Sequence, residues 1–221
     1  MRDGENIRQV ASLGIDWIGM VFDNDSPRNV TMIPTYAGII PDKGTEVLKD
    51  PDNAGEGTPR LVGVFTDEMA QNIITRVVNF RLDAIQLDGH ESPTLIRNLR
   101  STLTGTSDNG RAIAPRLQIW KTICINSAND LSQCKDYIYC CDMFVFDVKM
   151  HAVSGDWQSL LASYDGPLPF LLSGDIGPDD AASLRTFQHP LCIGINLDIP
   201  FETAPAMKDV ELLRTFIASL S

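Results

Sequence analysis

Short, almost uninterrupted apolar runs recur along the whole chain, and they alternate with longer segments in which apolar residues follow a helical period. Such runs are typical of strands that are buried on both faces, because a strand with one solvated face would alternate more strictly. Seven runs fit this description: 15–22, 60–65, 83–87, 117–125, 142–147, 168–173 and 191–197. The pattern therefore predicts seven buried strands.

The segments between these runs are amphipathic and predict helices at 5–13, 67–80, 91–104, 127–139, 156–164, 177–187 and 208–219. Asp67 and the pairs Ser92-Pro93 and Gly177-Pro178 supply residue types that favour helix starts. One long stretch, 31–59, is rich in Pro, Gly and Asp and predicts an irregular surface insertion. The sequence thus predicts a single domain spanning 1–221.

A repeated strand–helix pattern indicates parallel strands joined by crossover helices. Seven strands preceded by one helix predict an α/β fold, a (β/α)₈ TIM barrel that lacks its first β-strand in this chain. An open, doubly wound sheet also accommodates seven strands and stays as the alternative. In either fold a ligand lies at the carboxyl ends of the strands, where the run "DMFVFD" ends on Asp147. This position makes Asp147 a candidate catalytic residue.

Charge and cysteine content narrow the function classes. The formal net charge is −11, so no basic face is expected to neutralise nucleic-acid phosphates. The five cysteines include no CxxC pair and are expected to be free thiols in a reducing, cytoplasmic compartment. No apolar run approaches 18 residues, so neither a membrane span nor a signal peptide is predicted. No pair of His or Cys residues has metal-ligand spacing.

Several segments carry a resemblance to a known family when they are taken together and in order. They are "MRDGENIRQVASLGIDWIGMVFDNDSPRNV", "LVGVF", "DAIQLDGHES", "FVFDVK", "PFLLSGDIGPDDA" and "FETAPAMKDVELLRTFI". In this order they resemble the landmarks of the phosphoribosylanthranilate isomerase family of tryptophan biosynthesis. The resemblance covers essentially the whole chain.

The resemblance implies an aldose–ketose isomerase that carries out the Amadori rearrangement of N-(5-phosphoribosyl)anthranilate to the carboxyphenylamino-deoxyribulose phosphate. It implies a small phosphorylated substrate and no cofactor or metal, and it leaves a homodimer open. Asp147 stands where the family places its general acid, and Arg28 where the family binds the anthranilate carboxylate. The remaining substrate-binding positions that it implies are Ser154, Gly155, Ser173, Gly174 and Asn196.

The sequence also departs from the family pattern at several positions. The family's general-base cysteine lies at the end of the first strand, just before the residues that match Met1, so the general base is absent from this chain. Cys124 is expected to pack in the core. Asp175 replaces a glycine of a phosphate loop, and Asp88 replaces a histidine. These departures keep open an alternative: an impaired or inactive barrel homologue that binds a small anionic metabolite or acts by association.

Overall fold

The computed structural model describes residues 1–35, 38–41, 58–106, 110, 112–150 and 157–220. The strands are β1 Trp17–Val21, β2 Met32–Thr35, β3 Gly38–Pro41, β4 Arg60–Phe65, β5 Ala84–Leu87, β6 Gln118–Ile125, β7 Met143–Val148, β8 Phe170–Gly174, β9 Cys192–Ile195, β10 Glu202–Ala204 and β11 Met207–Lys208. The helices are α1 Gly4–Ala11, α2 Ala70–Phe80, α3 Pro93–Thr104, α4 Cys134–Tyr137, α5 Trp157–Ala162, α6 Ala181–Thr186 and α7 Val210–Leu220. All seven strands that the sequence predicts are present.

The main sheet has seven parallel strands in the order β1-β4-β5-β6-β7-β8-β9. This order follows the chain without a reversal. A doubly wound sheet would contain a switch point at which the strand order reverses, so the doubly wound alternative is wrong. Sequential parallel order is the topology of an α/β barrel.

The sheet curls, because residues from strands that are not neighbours meet on its inner face. The rings of Trp17 on β1 and Trp120 on β6 pack edge to face with their centroids 4.7 Å apart, although β4 and β5 lie between these strands in the sheet. One apolar cluster fills this interior: Val62, Ala84, Trp120, Met143 and Val145, with Trp17 and Leu171 against it. A much larger cluster lies between the outer face of the sheet and the helices.

Local chemistry explains where the helices start and where they differ from the prediction. The Ser92 side chain accepts from the Leu95 amide and Pro93 occupies the first turn, so α3 begins as predicted. The stretch 127–139, predicted as one helix, is instead a 3₁₀ helix Ala128–Gln133 followed by the single turn α4. Asn, Asp and Ser residues concentrated there favour caps and turns over helix interiors.

Two further parts of the fold bear on the prediction. Within the predicted irregular insertion 31–59, β2 and β3 pair as an antiparallel hairpin, while 36, 37 and 42–57 lie outside the described residues. The sheet order leaves β1 and β9 as its two end strands, and the amino group of Met1 donates to the Gly19 carbonyl on β1. The absence of a first strand stays a prediction from the sequence.

The two ends of the described chain meet at one reciprocal contact. The Asn6 side chain donates to the Lys208 carbonyl and accepts from the Lys208 amide, both at 2.8 Å. This contact ties α1 to the short hairpin formed by β10 and β11. Among the described residues, no helix is long and apolar enough to cross a membrane.

Candidate active site

Polar side chains line the inner face of the barrel at the carboxyl ends of its strands. Side chains two residues apart on a strand share a face, so Asp147 faces the interior like Val145, and Ser173 faces it like Leu171. The same period carries the interior face of β6 from Trp120 to Cys124. The register places Cys124, Asp147 and Ser173 directly opposite one another on β6, β7 and β8. These residues form a row across three neighbouring strand ends.

Within this row, the Cys124 thiol points at Oδ2 of Asp147, with the sulfur 3.8 Å from the oxygen. Cys124 is exposed, so the expectation that it packs in the core is wrong. Partial burial raises the pKa of the Cys124 thiol, and the negative charges of Asp147 and Asp88 raise it further. At neutral pH the residue is therefore a thiol that can donate a hydrogen bond to Asp147.

Hydrogen bonds from residues on neighbouring strands and loops surround the row formed by Cys124, Asp147 and Ser173. The Asn196 side chain donates to the hydroxyl of Ser173 at 3.1 Å, and the Asn196 amide donates to the Leu172 carbonyl at 2.7 Å. Gln86 donates to both the Thr122 hydroxyl at 3.1 Å and the Asp88 carboxylate at 3.2 Å. The sequence analysis did not identify Gln86 and Thr122, although a polar residue inside an apolar strand indicates that its side chain has a hydrogen-bond partner in the interior.

The segment after β8 has a geometry that requires glycine. Gly174 has φ +129°, and a Cβ at this position would clash with the Val148 carbonyl oxygen. The next residue, Asp175, accepts from the Met150 amide through Oδ1 at 2.7 Å. A carboxylate thus occupies a backbone donor at the place where the family resemblance implies phosphate binding. Ser154 and Gly155 lie outside the described residues.

Arg28 lies in the loop after β1 and reaches the hairpin at the other end of the chain. Its Nε donates to Oε2 of Glu202 at 2.9 Å and lies 3.8 Å from Oδ1 of Asp198. Lys208 binds the other oxygen of Glu202 at 3.2 Å and donates to the carbonyls of Leu197 and Asp198. These contacts place the Arg28 cluster beside the loop that follows Asn196.

Glu202 and Lys208 were not identified from the sequence as site residues. Both lie in "FETAPAMKD", a segment that the resemblance uses, but nothing in its spacing indicates a partner near residue 28. Burial alone would raise the pKa of Glu202, yet hydrogen bonds and charge from Arg28 and Lys208 outweigh burial and lower it. Glu202 is therefore held as a carboxylate.

The rim thus offers carboxylates, a thiol, a hydroxyl, an amide and a cluster of ion pairs that Arg28 and Lys208 form with Glu202 and Asp198. No three His, Cys, Asp or Glu side chains in the described part of the chain are arranged to hold a metal ion. A cavity of about 640 Å³ lies elsewhere, against β8, β9 and α6, and its lining includes Leu172, Leu184 and Phe187. We place the candidate site at the rim because the polar side chains converge there, whereas that cavity is mainly apolar.

Comparisons with known proteins identify relatives along almost the whole chain. A family model described as N-(5'phosphoribosyl)anthranilate (PRA) isomerase matches residues 34–219. The N-(5'-phosphoribosyl)anthranilate isomerase of Parabacteroides distasonis is 32% identical over 225 residues, which cover 100% of this chain and 90% of that protein.

Solved structures add support for the fold. A phosphoribosyl anthranilate isomerase in complex with reduced 1-(o-carboxyphenylamino)-1-deoxyribulose 5-phosphate superposes with a TM-score of 0.72 at 21% identity. Mutually generated monomers of the dimeric enzyme from Thermotoga maritima give a TM-score of 0.72 at 22% identity. Each alignment covers 100% of this chain and 94% of the other. The likeness confirms the α/β barrel-like fold.

Proposed function

Since the chain belongs to the N-(5'-phosphoribosyl)anthranilate isomerase family, we propose that it catalyses the Amadori rearrangement of N-(5-phosphoribosyl)anthranilate to the carboxyphenylamino-deoxyribulose phosphate. One observation supports this proposal more than any other. Asp147 lies at the carboxyl end of β7 and faces the barrel interior, in register with polar side chains on both neighbouring strands. Active sites of α/β barrels lie at this end of the strands.

In the proposed mechanism Asp147 is the general acid. Its proton passes to the ring oxygen of the phosphoribosyl group, the C1–O bond breaks, and the nitrogen lone pair forms a C1=N iminium. Loss of the C2 proton then gives an enolamine: the C–H electron pair forms the C1=C2 bond, and the C1=N π electrons return to nitrogen. Tautomerisation of the enolamine gives the ketose.

The second proton transfer needs a base close to C2. Cys124 is poorly suited to this role, because partial burial and two neighbouring carboxylates raise the pKa of its thiol, which therefore holds its proton at neutral pH. We propose that the base is a cysteine on the first strand of the family's barrel, which the sequence predicts to be absent from this chain. In the closed barrel that strand would lie between β9 and β1, the two end strands of the seven-stranded sheet. The family resemblance supports that placement.

For binding, we propose that Arg28 holds the anthranilate carboxylate through its planar guanidinium group. We propose that Ser173 and Asn196 contact the sugar phosphate, with Gly174 permitting close approach of the backbone. Ser154 and Gly155 remain proposed phosphate ligands on the family resemblance alone. We also propose a homodimer in the cytoplasm. A relative described as dimeric supports the assembly, and five free cysteines support a reducing compartment.

A second candidate function is an impaired homologue that binds a small anion without turning it over. The observation that favours it is the contact between Asp175 and the Met150 amide, because it places negative charge where a phosphate would need donors. Binding without turnover is the result that would select this candidate.

The test is steady-state turnover of freshly prepared phosphoribosylanthranilate by the protein, by Asp147→Asn and by Asp142→Asn. Asp142 lies immediately before β7, at the opposite end of the barrel from Asp147, so its variant is the matched control. We expect Asp147→Asn to lower kcat by about 10²–10⁴-fold and Asp142→Asn to leave kcat of the folded protein unchanged. Full activity of Asp147→Asn contradicts the assignment. Binding of the reduced product analogue with no turnover by any of the three supports the second candidate.

A further inference from the structure

The ion pair between Arg28 and Glu202 joins residues that are 174 positions apart in the chain. Arg28 is one-fifth exposed and Glu202 is almost fully buried, with 7% of its side chain accessible. A buried carboxylate is stable only when it is paired and hydrogen-bonded, and Glu202 meets this condition on both oxygens. Oε2 accepts from Arg28 and from the Ala206 amide, and Oε1 faces Lys208.

The pairing uses one particular edge of the guanidinium group. Only Nε of Arg28 is engaged by Glu202, and within the described residues the two terminal nitrogens of Arg28 have no hydrogen-bond partner. A guanidinium presents donors along two edges, each of which matches a planar carboxylate. With Nε held, the edge formed by the two terminal nitrogens remains for a second carboxylate.

Lys208 sets the charge of this arrangement. A buried Arg28–Glu202 pair alone would be neutral and would attract an anionic ligand weakly. Lys208 lies 3.2 Å from Glu202 and is itself fixed by the carbonyls of Leu197 and Asp198, so its position does not depend on a ligand. Asp198 lies 3.8 Å from both cations, so Arg28 alone would face two carboxylates, Glu202 and Asp198, and Lys208 offsets one of these two negative charges.

We propose that Glu202 is a positioning residue for Arg28. It holds the guanidinium by Nε and presents the opposite edge to the aromatic carboxylate of the substrate, while Lys208 keeps the charge of Arg28 from being cancelled. This inference rests on the proposed function, because it assigns a cause to the recognition of the anthranilate carboxylate. In this proposal, selectivity for a carboxylated aryl group depends on Arg28, Glu202 and Lys208 together.

A purely structural role for the same ion pair predicts a different result. If the pair only ties the loop after β1 to the hairpin, its loss would disturb every substrate equally. If it positions Arg28, its loss would matter only when the substrate has a carboxylate for Arg28 to bind. Two substrates that differ by this carboxylate therefore separate the two roles.

The experiment measures kcat and KM with phosphoribosylanthranilate and with the corresponding phosphoribosylaniline, which lacks the carboxylate. The proteins are the wild type, Glu202→Gln, Arg28→Lys, the double variant, and Glu211→Gln as a control on the exposed face of α7. We expect Glu202→Gln to lower kcat/KM for the carboxylated substrate by about 10–100-fold, mainly through KM. For the aniline substrate we expect a change within about twofold of the control. The double variant should be no worse than Arg28→Lys alone.

Equal losses on both substrates, or additive losses in the double variant, would overturn the positioning role. If Glu202→Gln does not fold, Glu202→Asp keeps the charge but shortens the reach, and the same substrate ratio decides the question. If the wild type turns over neither substrate, the proposed function fails. The positioning role is then decided by titration with the reduced product analogue and its counterpart without the carboxylate: a Glu202→Gln loss confined to the first supports it, and equal losses overturn it.

Discussion

The sulfur of Cys124 lies 3.8 Å from Oδ2 of Asp147, across the ends of two neighbouring parallel strands. The thiol is the donor in this contact and the carboxylate is the acceptor. Because burial and the negative charge of Asp147 both raise the pKa of the thiol, Cys124 keeps its proton at neutral pH and can donate it to the carboxylate oxygen.

Removing the charge of Asp147 should make Cys124 more reactive. We expect Asp147→Asn to lower the pKa of Cys124 and to speed its alkylation by iodoacetamide at pH 7.5, because the thiolate is the reacting species. Cys124 is the exposed one of the five cysteines, so mass spectrometry can follow it selectively. The control is Asp142→Asn, which alters the far end of the same strand. An unchanged or slower rate in Asp147→Asn would show that Asp147 does not hold the proton on sulfur.

Neutralising Asp175 should improve the binding of phosphorylated ligands. The Asp175→Asn side chain can still accept from the Met150 amide but has no charge to repel a phosphate. We expect the reduced product analogue to bind about 3–10-fold more tightly, as removal of one nearby like charge in a partly solvated site suggests. Isothermal titration of Asp175→Asn and of the exposed control Asp179→Asn measures this. Equal affinities in the two variants would place the phosphate away from Asp175.

The buried ion pair of Lys121 and Glu91 should dominate the stability of the loop that carries Asp88. Lys121 Nζ lies 3.1 Å from Glu91 and donates to the carbonyls of Leu87 and Gly89, and both side chains are almost fully buried. We expect Glu91→Gln to lower the free energy of unfolding by about 3–5 kcal/mol, since it leaves a buried charge unpaired. The double variant Lys121→Met/Glu91→Gln should lose less than Glu91→Gln alone. Urea unfolding gives both values, and a strictly additive double variant contradicts the pairing.

The stabilisation that Glu202 provides should decrease as the pH falls. Its pKa is lower in the folded protein than its ordinary value of 4.5, so the folded state binds fewer protons than the unfolded state in this range. The contribution of Glu202 is complete above about pH 4.5 and is lost as the pH falls through the lower folded value.

We therefore expect Glu202→Gln to be less stable than the wild type by about 1.5–3 kcal/mol at pH 7. The difference should shrink as the pH falls below 4.5. Urea unfolding at pH 7, 5, 4 and 3.5 measures it, with Glu211→Gln as the control. A difference that stays constant or grows toward acid would contradict the lowered pKa.

The seven strands of the sheet could be predicted from the sequence because strands buried on both faces leave an apolar run whatever their partners are. It was harder to predict whether a side chain near the end of a strand points into the barrel or out of it. In "LQIWKTICI" the run contains both Lys121, which is buried outside the barrel, and Cys124, which lies at the rim inside it. The two-residue period distinguishes them only once Trp120 is known to face the interior.

Contacts between distant parts of the chain could not be predicted. Arg28 lies in a loop with no sequence feature that points to Glu202, and Lys121 finds Glu91 across the strand-to-helix loop of its neighbour. In 127–139 the apolar period was sufficient to predict an ordered segment. It did not distinguish an α-helix from a 3₁₀ helix, because the caps and turns there depend on the contacts of Asp130.

Asn6 and Arg28 both have their partners in the hairpin of β10 and β11, so the site can be complete only after residue 208 has been synthesised. Each strand of the main sheet can pair with the strand made just before it as the chain leaves the ribosome. Arg28, by contrast, has to wait for Glu202, which is made 174 residues later, and for Lys208, which follows Glu202. A ribosome stalled shortly before residue 202 would therefore display most of the sheet with its arginine still without its partner.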